Sequence, residues 1–256
     1  MLLIDADIIA VRAACVHEPG EDDPPWLVQD HIDNACNHAD DMVSALCDCF
    51  HDRDVLLAWS DPLGRYFRHD LYEDYKATRQ DRKPITLRKA VCAHLQETWS
   101  GMTIPRMEGD DVLGLIATEP GVRAKVVVAS ADKDLLTVPG ITLCRSMALR
   151  AGDRPDIIET TRESASRFHM LQTLSGDKCD NIPGLRGYGE PKGGVMSKGL
   201  KLLNDPDGVG EDWDRVVAAY AEQGLSEDIA IRNARLLSIR TYWTKDHLWS
   251  PRVRNP

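Results

Sequence analysis

Four short runs of this chain are apolar, aliphatic and too brief for a helix: "MLLID" (1–5), "DVLLAWSD" (54–61), "AKVVVASAD" (124–132) and "ITLCR" (141–145). Each predicts a buried strand. Between them the apolar positions switch to helical spacing, through Ile32, Ala35, Ala39, Met42, Val43, Leu46 and Phe50, and again through Leu87, Ala90, Val91, His94, Leu95 and Trp99. A third helix is expected in "MEGDDVLGLIAT" (107–118), with Val112, Leu115 and Ile116 on its apolar side. Strand and helix in alternation imply an α/β fold, a mostly parallel central sheet flanked by helices. After residue 155 no strand pattern is evident. The chain therefore divides into an α/β core over 1–155 and a helical region over 156–256.

Composition narrows the class. The 256 residues are 43% hydrophobic, enough to bury a sizeable core. No apolar run reaches the length of a membrane span, and Asp5 interrupts "MLLI" too early for a signal peptide. A cytoplasmic protein without a membrane partner is expected, in host cytoplasm if phage-encoded. Seven cysteines, at 15, 36, 47, 49, 92, 144 and 179, lack the spacing of a disulfide framework. They predict reduced, mostly buried thiols. Cys36, His38, Cys47, Cys49 and His51 invite a zinc reading, but residues two apart on a helix point to different faces. Trp213, Trp243 and Trp249 are expected to serve packing.

The net charge of −10 argues at first against a nucleic-acid partner. Its distribution reverses that inference. Residues 18–54 hold eleven acidic groups against the single Arg53 and account for the whole imbalance. Residues 65–89 hold eight basic and four acidic groups with aromatic residues interleaved, a local +4 that could steer a polyanion.

The candidate chemistry lies in carboxylates. Asp5, Asp61, Asp132 and Asp134 follow predicted strands, at the edge where open parallel sheets bind ligands. Glu108, Asp110 and Asp111 open a helix, where complementing the dipole could by itself account for them. Asp177 and Asp180 precede a loop, "NIPGLRGYGEPKGG", whose glycines at 184, 187 and 189 could offer backbone N–H groups to a phosphate. Nine carboxylates from five segments would raise one another's pKa values if left unpaired. Oxygen-seeking divalent cations remove that conflict, and an all-carboxylate donor set suits magnesium or manganese better than zinc. Carboxylates beside a phosphate-cradling loop thus point to a metal and a phosphodiester together.

Six blocks carry a family resemblance: "LIDADIIAVRA", "WSDPLGRYFR", "YKATR", "MEGDDVLG", "ASADKDLLTV" and "LSGDKCDNIPGLRGYG". In this order they resemble the 5′-nucleases, which include phage 5′ to 3′ exonucleases, flap endonucleases and the 5′-nuclease domain of bacterial DNA polymerase I. The resemblance runs from residue 1 to about residue 205. It implies a PIN-like core, a helical arch at about 65–100 and a helix-hairpin-helix-like DNA-binding motif at about 170–203. It further implies a metal site made of Asp5, Asp61, Glu108, Asp110, Asp111, Asp132, Asp134, Asp177 and Asp180, holding two Mg2+ or Mn2+ ions. Arg12, Lys76 and Arg79 would act near the scissile phosphate. Gly184, Gly187, Gly189, Lys192 and Lys198 would contact DNA, with K+ at the hairpin. The implied substrate is DNA with a 5′ end or flap, with an RNA–DNA hybrid as a further partner.

Two features depart from the family pattern. "GYGEPKG" sets both Glu190 and Pro191 before Lys192, and Ala6 stands where glycine is usual. Asp7, two residues after Asp5, could join the site or cap a helix. Two other functions fit parts of the sequence. "DADII" alone would suit an aspartate-dependent phosphatase, which gives the other blocks no role; a non-catalytic DNA-structure-binding relative would have lost carboxylates that are all present here.

Overall fold

The computed structural model describes residues 1–20, 23–79, 83–122, 125–150, 152–189, 198–206 and 210–251. Its centre is a six-stranded sheet in the order β3-β2-β1-β4-β5-β6. The strands are β1 (Leu2–Asp5), β2 (Val55–Trp59), β3 (Gly101–Thr103), β4 (Val127–Ala129), β5 (Thr142–Cys144) and β6 (Ile157–Glu159). The first five are parallel, and β6 pairs antiparallel with β5. β1 lies between β2 and β4, so the chain winds outward in one direction through β2 and β3 and in the other through β4 and β5. That reversal opens a crevice at the carboxyl ends of β1 and β4, the usual ligand position in such sheets.

Alternation along β1 separates two cores. Leu2 and Ile4 face a layer of three helices, α1 (Ala6–His17), α2 (Val28–Phe50) and α4 (Arg88–Thr98), with Ile9, Leu46 and Leu95 fully buried among them. Leu3 faces the opposite side, against Val112 and Leu113 of α5 (Gly109–Ala117) and Leu135 of the 3₁₀ turn Lys133–Thr137. α2 packs chiefly on α1 and α4. Its Asp40 is not a free surface charge, because its oxygens take the Trp99 Nε1–H at 2.7 Å and lie 2.7 Å from His94 Nε2.

The absence of strands after 155 does not hold. β6 lies beyond that boundary yet belongs to the sheet, and a two-stranded ribbon joins β7 (Gly176–Asp177) to β8 (Ile182–Pro183). β3 was likewise not foreseen. All are two or three residues long, so none contains enough of a pattern to read. The rest of the second half is helical: α6 (Arg162–Ser175), α7 (Lys198–Leu203), α8 (Asp212–Glu222) and α9 (Glu227–Leu237) share a core with Leu174, Val216, Tyr220 and Ala230 at its centre. Trp213 and Trp249 meet there edge to face, with ring centroids 5.1 Å apart. In the segment expected to arch, the described residues form the one-turn α3 (Arg68–Leu71), the 3₁₀ turn Ala77–Arg79 and α4, which is packed into the core. Among the described residues no helix is long and apolar enough to cross a membrane.

Candidate active site

The β1–β4 crevice widens into an open cleft of about 840 Å³. Seven of the nine singled-out carboxylates line it: Asp5, Glu108, Asp110, Asp132, Asp134, Asp177 and Asp180. Asp5 ends β1 and caps α1, accepting from Ile8 N at 3.2 Å, while its other oxygen accepts from Ser130 Oγ at 2.8 Å. Asp132 caps the turn after β4 through Asp134 N. Glu108 caps α5. Asp177 ends β7 and Asp180 sits on the turn that leads to β8, where Asp177 accepts from Cys179 N at 2.7 Å. Capping is the local reason several of these residues are acidic or polar. Their convergence is tertiary.

Burial makes the convergence electrostatically costly. Desolvation, with Asp7 and Asp132 nearby, pushes the Asp5 carboxyl up to about 7 although Ser130 and Ile8 oppose the rise. Desolvation and the neighbouring Asp132 and Asp177 bring Asp134 to about 7 as well. Asp110 is raised well above the usual carboxylate range by burial beside Asp111 and Glu108. Part of the charge is met from within. Lys76 pairs with Glu108 and lies 3.5 Å from Asp180, Arg79 pairs with Asp180, and Lys133 lies 3.5 Å from Asp177. Burial alone would lower the Lys76 ammonium pKa, but Glu108, Asp180 and Asp110 together raise it. The Tyr75 hydroxyl reaches Glu108 at 2.8 Å and Asp180 at 3.0 Å, one proton between two carboxylates.

These pairings revise the basic segment. Of its eight cations, Arg68, Lys76, Arg79 and Arg88 hold carboxylates of the protein itself, Arg88 bonding Asp7 at 2.8 Å. Asp7 accepts from Ser60 N as well, and so braces the cleft wall; the helix cap is Asp5. The segment is also sewn to the β7–β8 turn, Lys76 N donating to Asp180 O at 2.9 Å and Asn181 Nδ2 to Asp74 O at 2.8 Å. Lys76 adopts a left-handed backbone, φ 59°, to reach this position. On the far side Glu18 accepts from Thr86 N at 2.8 Å. Arg12 lines the cleft about two turns along α1, with its side chain exposed.

Two carboxylates go elsewhere. Asp61 accepts from Arg106 N at 2.6 Å and Leu63 N at 3.0 Å, which fixes the turn after β2 and lowers its pKa; it does not line the cleft. Asp111 lies within 4.8 Å of Glu108 and Asp110 through its oxygens, yet is fully buried and bonded to Arg68. Sequence reading missed Arg68 and Gln172, the latter buried and donating from Nε2 to Asp134 at 2.5 Å. Arg68 had a signal: with Leu71, Tyr72 and Tyr75 it falls at helical spacing on an apolar face.

The hairpin glycines divide by role. A Cβ on Gly184 would sit 1.9 Å from Ser175 O, so its glycine permits close backbone packing against the end of α6. Gly187 has φ 83° in open surroundings, a turn that glycine adopts without strain. Gly184, Gly187 and Gly189 border a second cavity of about 500 Å³ with Lys178 and Arg186. Lys198 lies 4.4 Å from the Tyr188 ring. Lys192 lies outside the described residues.

Comparisons with known proteins bear on the family and the fold. The family model described as 5′-3′ exonuclease, N-terminal resolvase-like domain, matches residues 1–177. The exonuclease of Escherichia phage T7 is 30% identical over 230 residues, 77% of this chain and 74% of that protein. DNA polymerase I of Bacillus caldotenax is 30% identical over 188 residues, 68% of this chain and 21% of the polymerase. Among solved structures, a bacteriophage T5 flap endonuclease in complex with DNA and metal ions matches 93% of this chain and 88% of its own, with TM-score 0.62 and 17% identity. That likeness is one of fold.

Proposed function

This chain belongs to the 5′-3′ exonuclease family, and on that premise we propose that it hydrolyses DNA phosphodiesters at 5′ ends or 5′ flaps with two Mg2+ or Mn2+ ions. One observation carries the reading: seven carboxylates from four segments face one cleft, with Asp5 and Asp134 pushed to about 7 by burial and mutual repulsion. An all-oxygen donor set with unmet negative charge fits hard divalent cations. Glu108 and Asp110, with Asp5, form one half of the proposed metal site; Asp132, Asp134, Asp177 and Asp180 form the other. Bound there, such ions acidify a water and neutralise charge on the phosphodiester.

The remaining steps fall to the chain itself. Lys76 and Arg79 act as counter-ions to Glu108 and Asp180, and their charge would be available to a phosphate when those carboxylates hold divalent cations. Released from carboxylates, they stabilise charge that develops during cleavage. Arg12, exposed on the same wall, holds the phosphate from the α1 side. Asp61 and Asp111 support the site from behind. The hairpin with Gly184, Gly187 and Gly189, together with Lys192 and Lys198, grips duplex backbone and could hold K+ through its carbonyls. The α/β core binds the reacting phosphate, and the helical region holds the duplex. An RNA–DNA hybrid fits the same phosphate contacts.

The test is digestion of a 5′-labelled flapped duplex in Mg2+, beside a small phosphomonoester and the same duplex in EDTA. Cleavage of the flap alone, abolished by EDTA, is the expected result. Hydrolysis of the monoester alone would favour phosphatase chemistry, and binding without cleavage a non-catalytic relative.

A further inference from the structure

Arg68 is a buried cation with every N–H group bonded. It is 2% exposed, and its guanidinium has five N–H groups. Each has an acceptor: Nε donates to Leu236 O at 2.8 Å, Nη1 to Glu108 Oε2 at 2.9 Å and Asp111 Oδ2 at 2.6 Å, and Nη2 to Asp111 Oδ1 at 2.9 Å and Ser238 O at 3.0 Å. The two carbonyls come from the end of α9, where the helix dipole favours a cation.

Counting acceptor sites separates the neighbouring carboxylates. An ionised carboxylate offers about four lone-pair sites. Asp111 has all of them filled, by Arg68 twice, by Arg240 N at 3.0 Å and by Glu108 N at 3.2 Å. No lone pair remains for an ion. On Glu108, Oε2 is taken by Arg68 and Tyr75 and Oε1 is paired with Lys76 across the cleft, while the side chain also faces the Asp111 backbone N–H in the capping box of α5. Charge follows a similar division: Asp111 takes two of the Arg68 bonds and is enclosed with it, whereas Glu108 takes one and turns its other oxygen to Lys76 at the cleft.

We propose that Arg68 and Asp111 are positioning residues: Asp111 serves as the counter-charge of Arg68, and Arg68 holds Glu108 so that Oε1 alone is presented to a divalent cation. The C-terminal segment takes part, because Leu236, Ser238 and Arg240 fix the pair from behind. Gly114 allows this approach, since a Cβ there would lie 2.3 Å from Arg240 O. The assignment rests on the metal-dependent reading of the cleft and deepens it.

The test is calorimetric titration of the full-length chain with Mn2+, without DNA, with folding checked by circular dichroism. Groups that orient a ligand typically control 10–100-fold in metal affinity. Arg68→Lys keeps the charge but cannot span the same five acceptors, and should bind Mn2+ at least about tenfold more weakly. Asp111→Asn should bind more tightly than Glu108→Gln, which loses a ligand. The double variant Arg68→Met/Asp111→Leu replaces a buried pair with apolar volume, a change often tolerated by folds. It should fold and still show the weakened Mn2+ affinity.

Wild-type Mn2+ affinity in folded Arg68→Lys or in the double variant would overturn the proposal. So would equal losses in Asp111→Asn and Glu108→Gln. If neither Arg68 variant folds, the comparison of Asp111→Asn with Glu108→Gln decides. A wild-type chain that binds Mn2+ but cuts no DNA would instead refute the nuclease reading and leave this assignment standing.

Discussion

Asp5→Asn should make the metal-free protein more stable, and by an amount that grows with pH. The residue is 5% exposed, and its carboxyl is raised from 3.8 to about 7 chiefly by burial, then by Asp7 and Asp132. The sign follows from linkage. Below 3.8 the group is protonated in folded and unfolded chains alike and carries no penalty; above 7 it is ionised in both, and ionising it in the folded cleft is the more costly. A rise of about three units at 1.36 kcal/mol each corresponds to about 4 kcal/mol at pH 8 as an upper value, and about 1.5 kcal/mol at pH 5. Asparagine preserves the cap on Ile8 N and can donate to Ser130 Oγ. Urea unfolding in EDTA at pH 5 and pH 8 measures the difference. Added Mg2+ should then stabilise wild type and not the variant, by about 2.7 kcal/mol at a hundred times the dissociation constant. A variant no more stable than wild type at pH 8, or an equal gain at both pH values, would refute the reasoning.

Other outcomes can be checked in the same preparations. Asp132→Ala and Asp134→Ala should abolish flap cleavage yet retain DNA in calcium, as seen by gel shift. Lys76→Ala and Arg79→Ala should each lower the single-turnover rate on saturating DNA by on the order of a hundredfold, about 3 kcal/mol, whereas Gly187→Val should weaken binding, more steeply as salt rises. His169, buried with its imidazole 2.8 Å from Ala234 O, has its pKa lowered to about 4 by desolvation. Its contribution is present above 6.5 and lost as pH falls toward 4, about 3 kcal/mol in all; His169→Gln should flatten that part of the urea-stability profile.

What could be read from the sequence followed physical range. β1, β2, β4 and β5 are apolar runs whose burial is written locally, and all four were legible. β3 and β6 have three residues each and exist through pairing with a neighbour that local pattern cannot show. The acidic cleft was legible because a carboxylate just past a buried strand falls on the ligand-binding edge of a parallel sheet. The separate destinations of Asp61 and Asp111 were not, since each depends on a partner distant in sequence. Charge counting misled most in residues 65–89, where Arg68, Lys76, Arg79 and Arg88 are paired with carboxylates from outside the segment, Asp7, Glu108, Asp111 and Asp180.

The stitching of residues 74–79 to the β7–β8 turn also bears on how this protein could be remodelled. Arg79 is anchored to Asp180 on one side, and Thr86 is anchored to Glu18 on the other. Where both ends of a connection are fixed, each doubling of its length costs only about 0.6 kcal/mol. Relatives could exchange a short connection here for a long one, or an engineer could graft a foreign segment, while Lys76 and Arg79 keep their places. A change of length between these two anchors is thus a route by which new substrate preferences can be acquired, with the anchored residues left as they are.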